Sequence, residues 1–161
     1  MNASIQIAPI PIMNKFDARN RRKLILFAIL TALMIAFIWG NSCFSREESG
    51  AQSGRISAFL QSILDPAGKI PEERFHHFVR KAAHFTEFAV LGILVAGLFR
   101  QIGLRAGDTL RSLPVLTVLL VAVLDEYIQH FTGRGSAVTD VILDFSGGLF
   151  GLATAILRKK K

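Results

Sequence analysis

Four apolar stretches constrain the fold of this chain more than any other feature of its sequence. They cover residues 24–39, 82–99, 113–131 and 139–157, and polar segments separate them. A helix that spans a bilayer needs about 20 mostly apolar residues, and a backbone surrounded by lipid must satisfy its hydrogen bonds within a helix or a closed barrel. The pattern therefore predicts an all-α integral membrane bundle of four transmembrane helices.

The first apolar stretch, "LILFAILTALMIAFIW", follows the basic segment "RNRRK" and so could also be the core of a signal peptide. However, the run is long for such a core, and the following "WGNSC" lacks a small-x-small cleavage site. We therefore predict a retained first helix, with Trp39 as an anchor at the membrane interface.

Basic residues are concentrated in three of the segments that flank the apolar stretches. The N-terminal segment, the loop between the second and third stretches, and the C-terminal tail together hold twelve Lys and Arg against two acidic residues. The rest of the chain holds seven against ten. The positive-inside rule then predicts a multi-pass protein of the cell inner (plasma) membrane with both termini in the cytoplasm. Because the formal charge of +7 lies at the edges of apolar blocks, it does not indicate nucleic-acid binding.

These predictions divide the chain into a cytoplasmic basic N-terminus (1–23), a four-helix membrane domain (24–157) and a basic cytoplasmic tail (158–161). A long outer loop occupies residues 40–80. Within it, "RISAFLQSILDP" has apolar residues at helical spacing and predicts a short amphipathic helix on the membrane interface or over the bundle. A second helix is predicted to start at Pro71, with Glu72 and Glu73 in its first turn, and to run into the second span.

Polar residues interrupt the second, third and fourth spans at similar depth. If the chain crosses the membrane as predicted, Glu87, Asp125 and Asp144 lie roughly 8, 12 and 9 Å below the outer edge of the hydrocarbon. On each helix the polar residues are three or four positions apart and share a face. On the fourth span, Gly147 and Gly151 continue this face and allow close helix packing. We therefore predict one ligand-binding cluster in the outer half of the bundle. Its members are Lys81, His84, Glu87, Asp125, Glu126, Gln129, Arg134, Asp140 and Asp144.

Two interpretations of this cluster remain open. A charge inside a bilayer costs at least about 2.5–3.5 kcal/mol by insertion scales, so such groups must pair or reach water. In the first interpretation, Lys81 and Arg134 pair with the acids and the network only orients the helices. In the second, the residues line a polar pocket that opens outward and binds or transforms a ligand.

For an enzyme, the candidate catalytic residues are His84 or Glu87 as general base and Asp125 with Glu126 as acid or ligand. A metal-dependent version would use His84, Glu87, Asp125 and Asp144, because mixed nitrogen and oxygen ligation suits Zn²⁺ or Mn²⁺. No spacing in the sequence demands a metal, however. The sequence therefore predicts neither a metal nor another cofactor.

Two segments also carry a resemblance to a known family. The motif "RKAAHFTEF", followed by "DEYIQHFTGRGSAVTDVILDFSGGLFG", resembles the VanZ-like integral membrane proteins. Their pattern reads R-K-x-x-H-F-x-E-Y, then D-E-x-x-Q, then G-R followed by D-x-x-x-N-x-x-G. The matching positions run in order from Arg80 to Gly151. Two positions depart from the pattern: Phe88 replaces a tyrosine, and Asp144 replaces an asparagine and so adds an acid to the cluster.

The resemblance implies a role in the cell envelope. The named family member is associated with low-level resistance to teicoplanin, a glycopeptide antibiotic that acts outside the membrane on cell-wall precursors. With the polar cluster, this favours a non-enzymatic protein whose partners are membrane lipids and a lipid-linked or cell-wall-precursor ligand. The alternatives are an intramembrane hydrolase or transferase that acts on a lipid-linked substrate, and a structural or assembly protein. The sequence indicates no oligomeric state.

Overall fold

A computed structural model describes residues 18–103 and 112–157, and it confirms the predicted all-helical fold. Within these ranges the chain forms five helices and no strand: α1 (Ala18–Ser42), α2 (Arg46–Leu64), α3 (Glu72–Gln101), α4 (Ser112–Phe131) and α5 (Val138–Leu157). The predicted basic tail lies outside the described residues. The same holds for most of the predicted N-terminal segment and of the loop between the second and third spans.

Four helices are long and apolar enough to cross a membrane, which are Arg19–Ser42, Glu72–Gln101, Ser112–Phe131 and Val138–Ala155. Large apolar side chains such as Leu33, Leu120 and Ile142 are more than half exposed, whereas Asp125 and Asp144 are completely buried. A soluble protein places its residues the other way round. An apolar exterior around buried ionisable groups is the arrangement that a bilayer favours.

Helix α3 is the centre of the bundle. It packs most extensively against α5 and also contacts α1, α2 and α4. At 1.5 Å per residue its 30 residues extend roughly 45 Å, whereas the hydrocarbon core of a bilayer is about 30 Å thick. The first turns of α3 therefore continue past the hydrocarbon, where α2 packs beside them. Helix α2 begins at Arg46, earlier than the predicted amphipathic segment, and ends at Leu64 before the Asp65-Pro66 pair.

Glycines allow α3 and α5 to approach each other closely. A Cβ atom added at Gly147 would collide with the carbonyl oxygen of Phe85, and one added at Gly151 would collide with that of Ala89. In a membrane, helices associate through such close contact because lipid tails are as apolar as the side chains. The contact brings the polar residues of α3 and α5 together.

Helix α1 is the least enclosed of the four spans, and hydrogen bonds hold its C-terminal end. It contacts α3 and α4, but most of its apolar side chains face outward. The Nε1 atom of Trp39 donates to the carbonyl oxygen of Val121 at 3.4 Å. The Thr132 hydroxyl donates to the carbonyl oxygen of Ser42 at 3.0 Å. The end of α1 is thereby fixed against α4 and the loop that follows it.

Candidate functional site

The polar residues predicted from the sequence converge at one end of the bundle, where α1 and α4 end and α5 begins. Six of them line a small polar cavity of about 30 Å³: Lys81, His84, Glu126, Gln129, Asp140 and Asp144. Glu87 and Arg134 line a larger cavity of about 280 Å³, which we call the lateral pocket. Asp125 is buried between the helices and hydrogen-bonded within the cluster. The structure thus brings all nine residues to the same region, divided between two adjacent cavities.

Asp125 accepts hydrogen bonds from neutral donors only. The Ser42 hydroxyl donates to Oδ1 at 2.6 Å, and the Gln129 side-chain amide donates to Oδ2 at 2.8 Å. None of the Lys and Arg residues described forms an ion pair with this carboxylate. Ser42 lies at the end of α1 and is a site residue that sequence reasoning missed. No local pattern marks it, because only the packing of α1 against α4 brings it to Asp125.

Asp144 is the least satisfied polar group of the cluster. It is 1% exposed, and neither carboxylate oxygen has a hydrogen-bond partner among the described residues. Its nearest basic group is the imidazole of His84, with Nδ1 lying 3.7 Å from Oδ1. The Nδ1 atom is also buried and has no hydrogen bond within the described chain. A buried polar group left unpaired costs about 1–3 kcal/mol, and a charged group costs more.

Two further acids of the cluster, Asp140 and Glu126, have partners at its edge. Lys81 Nζ lies 3.3 Å from Asp140 Oδ1, and about half of the lysine side chain is exposed, so this pair contributes little to stability. Glu126 Oε2 accepts a hydrogen bond from the backbone N–H of Ala137 at 3.1 Å. Glu126 therefore fixes the start of α5 to the end of α4.

Arg134 lies in the loop that joins α4 to α5, and the glycines on either side of it give this loop its shape. Gly133 and Gly135 have φ angles of 70° and 77°, a region that glycine adopts without strain. The turn directs the Arg134 side chain inward, where Nη1 donates to the carbonyl oxygen of Asn41 at 2.6 Å. The predicted network had Arg134 pairing with the acids. Within the described residues, Arg134 instead holds the end of α1 and forms no ion pair.

The charge of Arg134 is nevertheless influenced by its neighbours. Burial, and then the nearby Arg80 guanidinium, lowers its pKa, whereas the carboxylates of Asp125, Glu126 and Glu87 raise it. Because an arginine side chain normally titrates far above neutral pH, Arg134 remains a cation. Its Nε atom is buried and has no acceptor among the residues described.

The lateral pocket lies between α1, α2 and α3, with Arg134 at one side. Its apolar wall consists mainly of Phe37, Phe44, Ile56 and Val79. Arg80 and His84 line both this pocket and the small polar cavity, and so form the partition between them.

Two other histidines lie apart from the cluster. His76 Nε2 is 2.8 Å from the Ser53 hydroxyl in the contact between α2 and α3. His130 is exposed, and its ring packs edge-on against Phe131.

A bundle of membrane-spanning helices with ionisable groups enclosed at one end defines a multi-pass helical membrane protein with an internal polar site. The sequence matches the VanZ/LLP1 family over residues 27–159, and the chain belongs to this family. The matched region includes α1 from residue 27 onward and the whole of the other four helices. Comparison with curated proteins and with solved structures gave no match.

Proposed function

We propose that this protein binds an amphiphile with an anionic headgroup, either a lipid or a lipid-linked molecule of the cell envelope, in the lateral pocket. The observation that carries the proposal is the composition of the pocket wall. Two arginines, Arg80 and Arg134, face a space whose other sides are largely apolar.

Both arginines have side-chain N–H donors without an acceptor among the described residues. The Arg80 side chain forms no hydrogen bond or ion pair within the described part of the chain, and the Nε–H of Arg134 has no acceptor there. Guanidinium groups present several N–H donors in a plane that matches phosphate and carboxylate oxygens. Glu87 is the one carboxylate in the pocket wall. With two arginines against one carboxylate, the wall therefore has a net positive charge.

The apolar side of the pocket suits the part of an amphiphile next to its headgroup. Phe37 comes from α1, Phe44 from the loop that follows it, Ile56 from α2 and Val79 from α3. A volume of about 280 Å³ is at the small end of the range of roughly 300–1,000 Å³ for ligand pockets. It accommodates a headgroup and the first carbons of a chain, while the rest of the chain remains in the bilayer. The predicted orientation places this headgroup at the outer leaflet.

A lipid titration tests the proposal. Tag-free protein in neutral detergent, with a chelator present throughout, is titrated with short-chain phosphatidylglycerol, with phosphatidylcholine of the same chain length, and with inorganic phosphate. A ligand that binds the folded state raises the thermal midpoint, and we expect the anionic lipid to give the largest rise. A charge-assisted hydrogen bond contributes about 1.5–3 kcal/mol, so Arg80→Gln should weaken this binding about tenfold or more.

Arg74→Gln is the matched control, because Arg74 is exposed on the same helix and lines neither cavity. It should leave the affinity unchanged. Equal binding of phosphatidylcholine, or equal weakening by the two variants, would contradict the proposal. Saturation by inorganic phosphate alone, with no added effect of the lipid, would show an anion site without a place for a chain.

A further inference from the structure

We propose that His84, Asp125 and Asp144 form a binding site for one divalent transition-metal cation, of the type of Zn²⁺ or Mn²⁺. This site goes beyond the proposed function and lies next to the lateral pocket. One ring nitrogen of His84 and one oxygen of each carboxylate all lie within 4.8 Å of one another. For three atoms within 4.8 Å of one another, some point always lies within about 2.8 Å of all three, because 4.8 Å divided by the square root of three is about 2.8 Å. An ion at this point would be close to every ligand atom.

Small side-chain movements are enough to close this arrangement around an ion. Zn²⁺ lies about 2.0–2.2 Å from histidine nitrogen and carboxylate oxygen ligands. The required shifts are therefore less than about 1 Å, within the range of a χ rotation. The three residues lie on three different helices, α3, α4 and α5, and the glycine contact between α3 and α5 fixes two of these ligands against each other.

No existing hydrogen bond of the ligand atoms would have to be broken for a metal to bind. Asp144 is 1% exposed, and both of its oxygens, like Nδ1 of His84, are without hydrogen bonds in the described chain. Each oxygen of Asp125 accepts one hydrogen bond, which leaves a further lone pair on each. The donors on Asp125 resemble the outer hydrogen bonds that orient metal-binding carboxylates in known sites.

The charge of the three groups also fits a divalent cation. Metal ligands bind in their deprotonated forms, in which a neutral imidazole and two carboxylates sum to −2. No Lys or Arg in the described ranges forms an ion pair with Asp125 or Asp144, because Lys81 pairs with Asp140 and Arg134 donates to a backbone carbonyl. A buried charge without compensation is strongly destabilising. An ion of charge +2 at this position neutralises the group.

The ligand types select among cations. Mg²⁺ and Ca²⁺ prefer oxygen ligands alone, whereas imidazole favours zinc and its transition-metal neighbours. Three protein ligands leave a coordination position open, and the small polar cavity beside His84 and Asp144 has room for a water there.

Metal titration of the purified full-length protein tests this site. Tag-free protein is stripped with a chelator, desalted and titrated separately with Zn²⁺ and Mn²⁺, with bound metal measured by elemental analysis and the thermal midpoint measured in parallel. We expect one metal per chain and a rise of the midpoint on binding. Asp144→Asn and His84→Gln should each lower the affinity at least about tenfold.

Two matched variants separate coordination from general charge. His130→Gln removes an exposed histidine, and Glu87→Gln removes a nearby acid outside the three-residue set. Both should keep the stoichiometry and stay within about fivefold of the original affinity. Metal-free midpoints identify any variant that fails to fold, and Co²⁺ absorption of the stripped protein gives a readout of the ligand field that does not depend on stability. Less than one metal per chain, or equal loss in Asp144→Asn and Glu87→Gln, would overturn the proposal.

Discussion

The carboxylates of the cluster differ in whether other side chains need them as hydrogen-bond acceptors. Glu87 lines the lateral pocket, and its carboxylate has no hydrogen bond or ion pair among the residues described. Asp125 is buried and satisfies two donors, the Ser42 hydroxyl and the Gln129 amide. Two carboxylates at the same end of the bundle therefore have different structural importance, although their sequence contexts look alike.

We expect Glu87→Gln to fold as well as the unmodified protein, with its effect confined to ligand binding in the lateral pocket. The change removes a charge that pairs with no cation, and it relieves repulsion from the neighbouring acids. The measurement is the thermal midpoint in detergent, together with binding of the short-chain phosphatidylglycerol. A lowered midpoint, with function lost only in proportion to the amount of folded protein, would favour a purely structural network.

Asp125→Asn and Asp125→Ala supply the comparison. Asparagine keeps an acceptor for Ser42, and a flipped Gln129 amide can accept from its new N–H, so stability should change by less than about 1 kcal/mol. Alanine leaves both donors unsatisfied at a buried position, and we expect a loss of roughly 1–3 kcal/mol or more. If the alanine variant were as stable as the asparagine variant, the hydrogen bonds to Asp125 would not hold α1 in place.

The sequence predicted the polar residues of α3, α4 and α5 but not their partners on α1. Helical spacing identifies side chains that share a face of one helix. It contains no information about which residue of another helix comes to lie opposite. Ser42 and Asn41 lie in "WGNSC", which was interpreted only as the end of the first span. The sequence named His84, Asp125 and Asp144, together with Glu87, as a possible metal set but predicted no metal, because the residues come from three helices and no local spacing demands one.

At the level of the helices, apolar runs predicted the spans within a few residues, and the start of α2 was the main difference. The prediction placed a helix around "RISAFLQSILDP", whereas α2 begins at Arg46. The added segment, "REESGAQSG", has little apolar periodicity and two glycines, and propensity alone does not favour a helix there. Contact with the first turns of α3 supplies the stabilisation that the local sequence lacks.

A glycine substitution tests the contact between α3 and α5. In Gly151→Ala the new Cβ atom meets the backbone of α3, which cannot yield as a side chain would. We expect a loss of about 1–3 kcal/mol, the usual cost of inserting a methyl group into a tight contact, measured as a lower thermal midpoint.

Gly40→Ala is the control for this substitution. Gly40 lies in α1, and a Cβ atom added there meets nothing within 4 Å. Alanine favours a helix over glycine by about 0.5–1 kcal/mol, so this variant should be as stable as the original or more stable. A similar loss in both variants would mean that the glycine contact is not what joins α3 to α5.

For the whole molecule, the sequence predicts the orientation in the membrane, and the side of the membrane on which the polar cluster lies depends on it. Both termini and the 101–110 loop should be cytoplasmic, whereas positions 51 and 133 should be outside. In a Cys43→Ser background, which removes the exposed native thiol, single cysteines at 51 and 133 should react with an impermeant reagent in intact cells. A cysteine at 105 should react only after permeabilisation. The reverse pattern would place the polar cluster in the cytoplasmic half of the membrane and exclude a ligand from the outer leaflet.

The hydrogen bonds at the end of α1 also affect the order of events during synthesis. Ser42 precedes its partner Asp125 by 83 residues, and Asn41 precedes Arg134 by 93. Chains grow at about 5–20 residues per second, so roughly 4–17 s pass between the appearance of Ser42 and that of Asp125. Throughout this interval the completed first helix lacks these contacts, and it can drift or meet the insertion machinery. Helix α1 is therefore fixed at this end only when nearly the whole domain has been made.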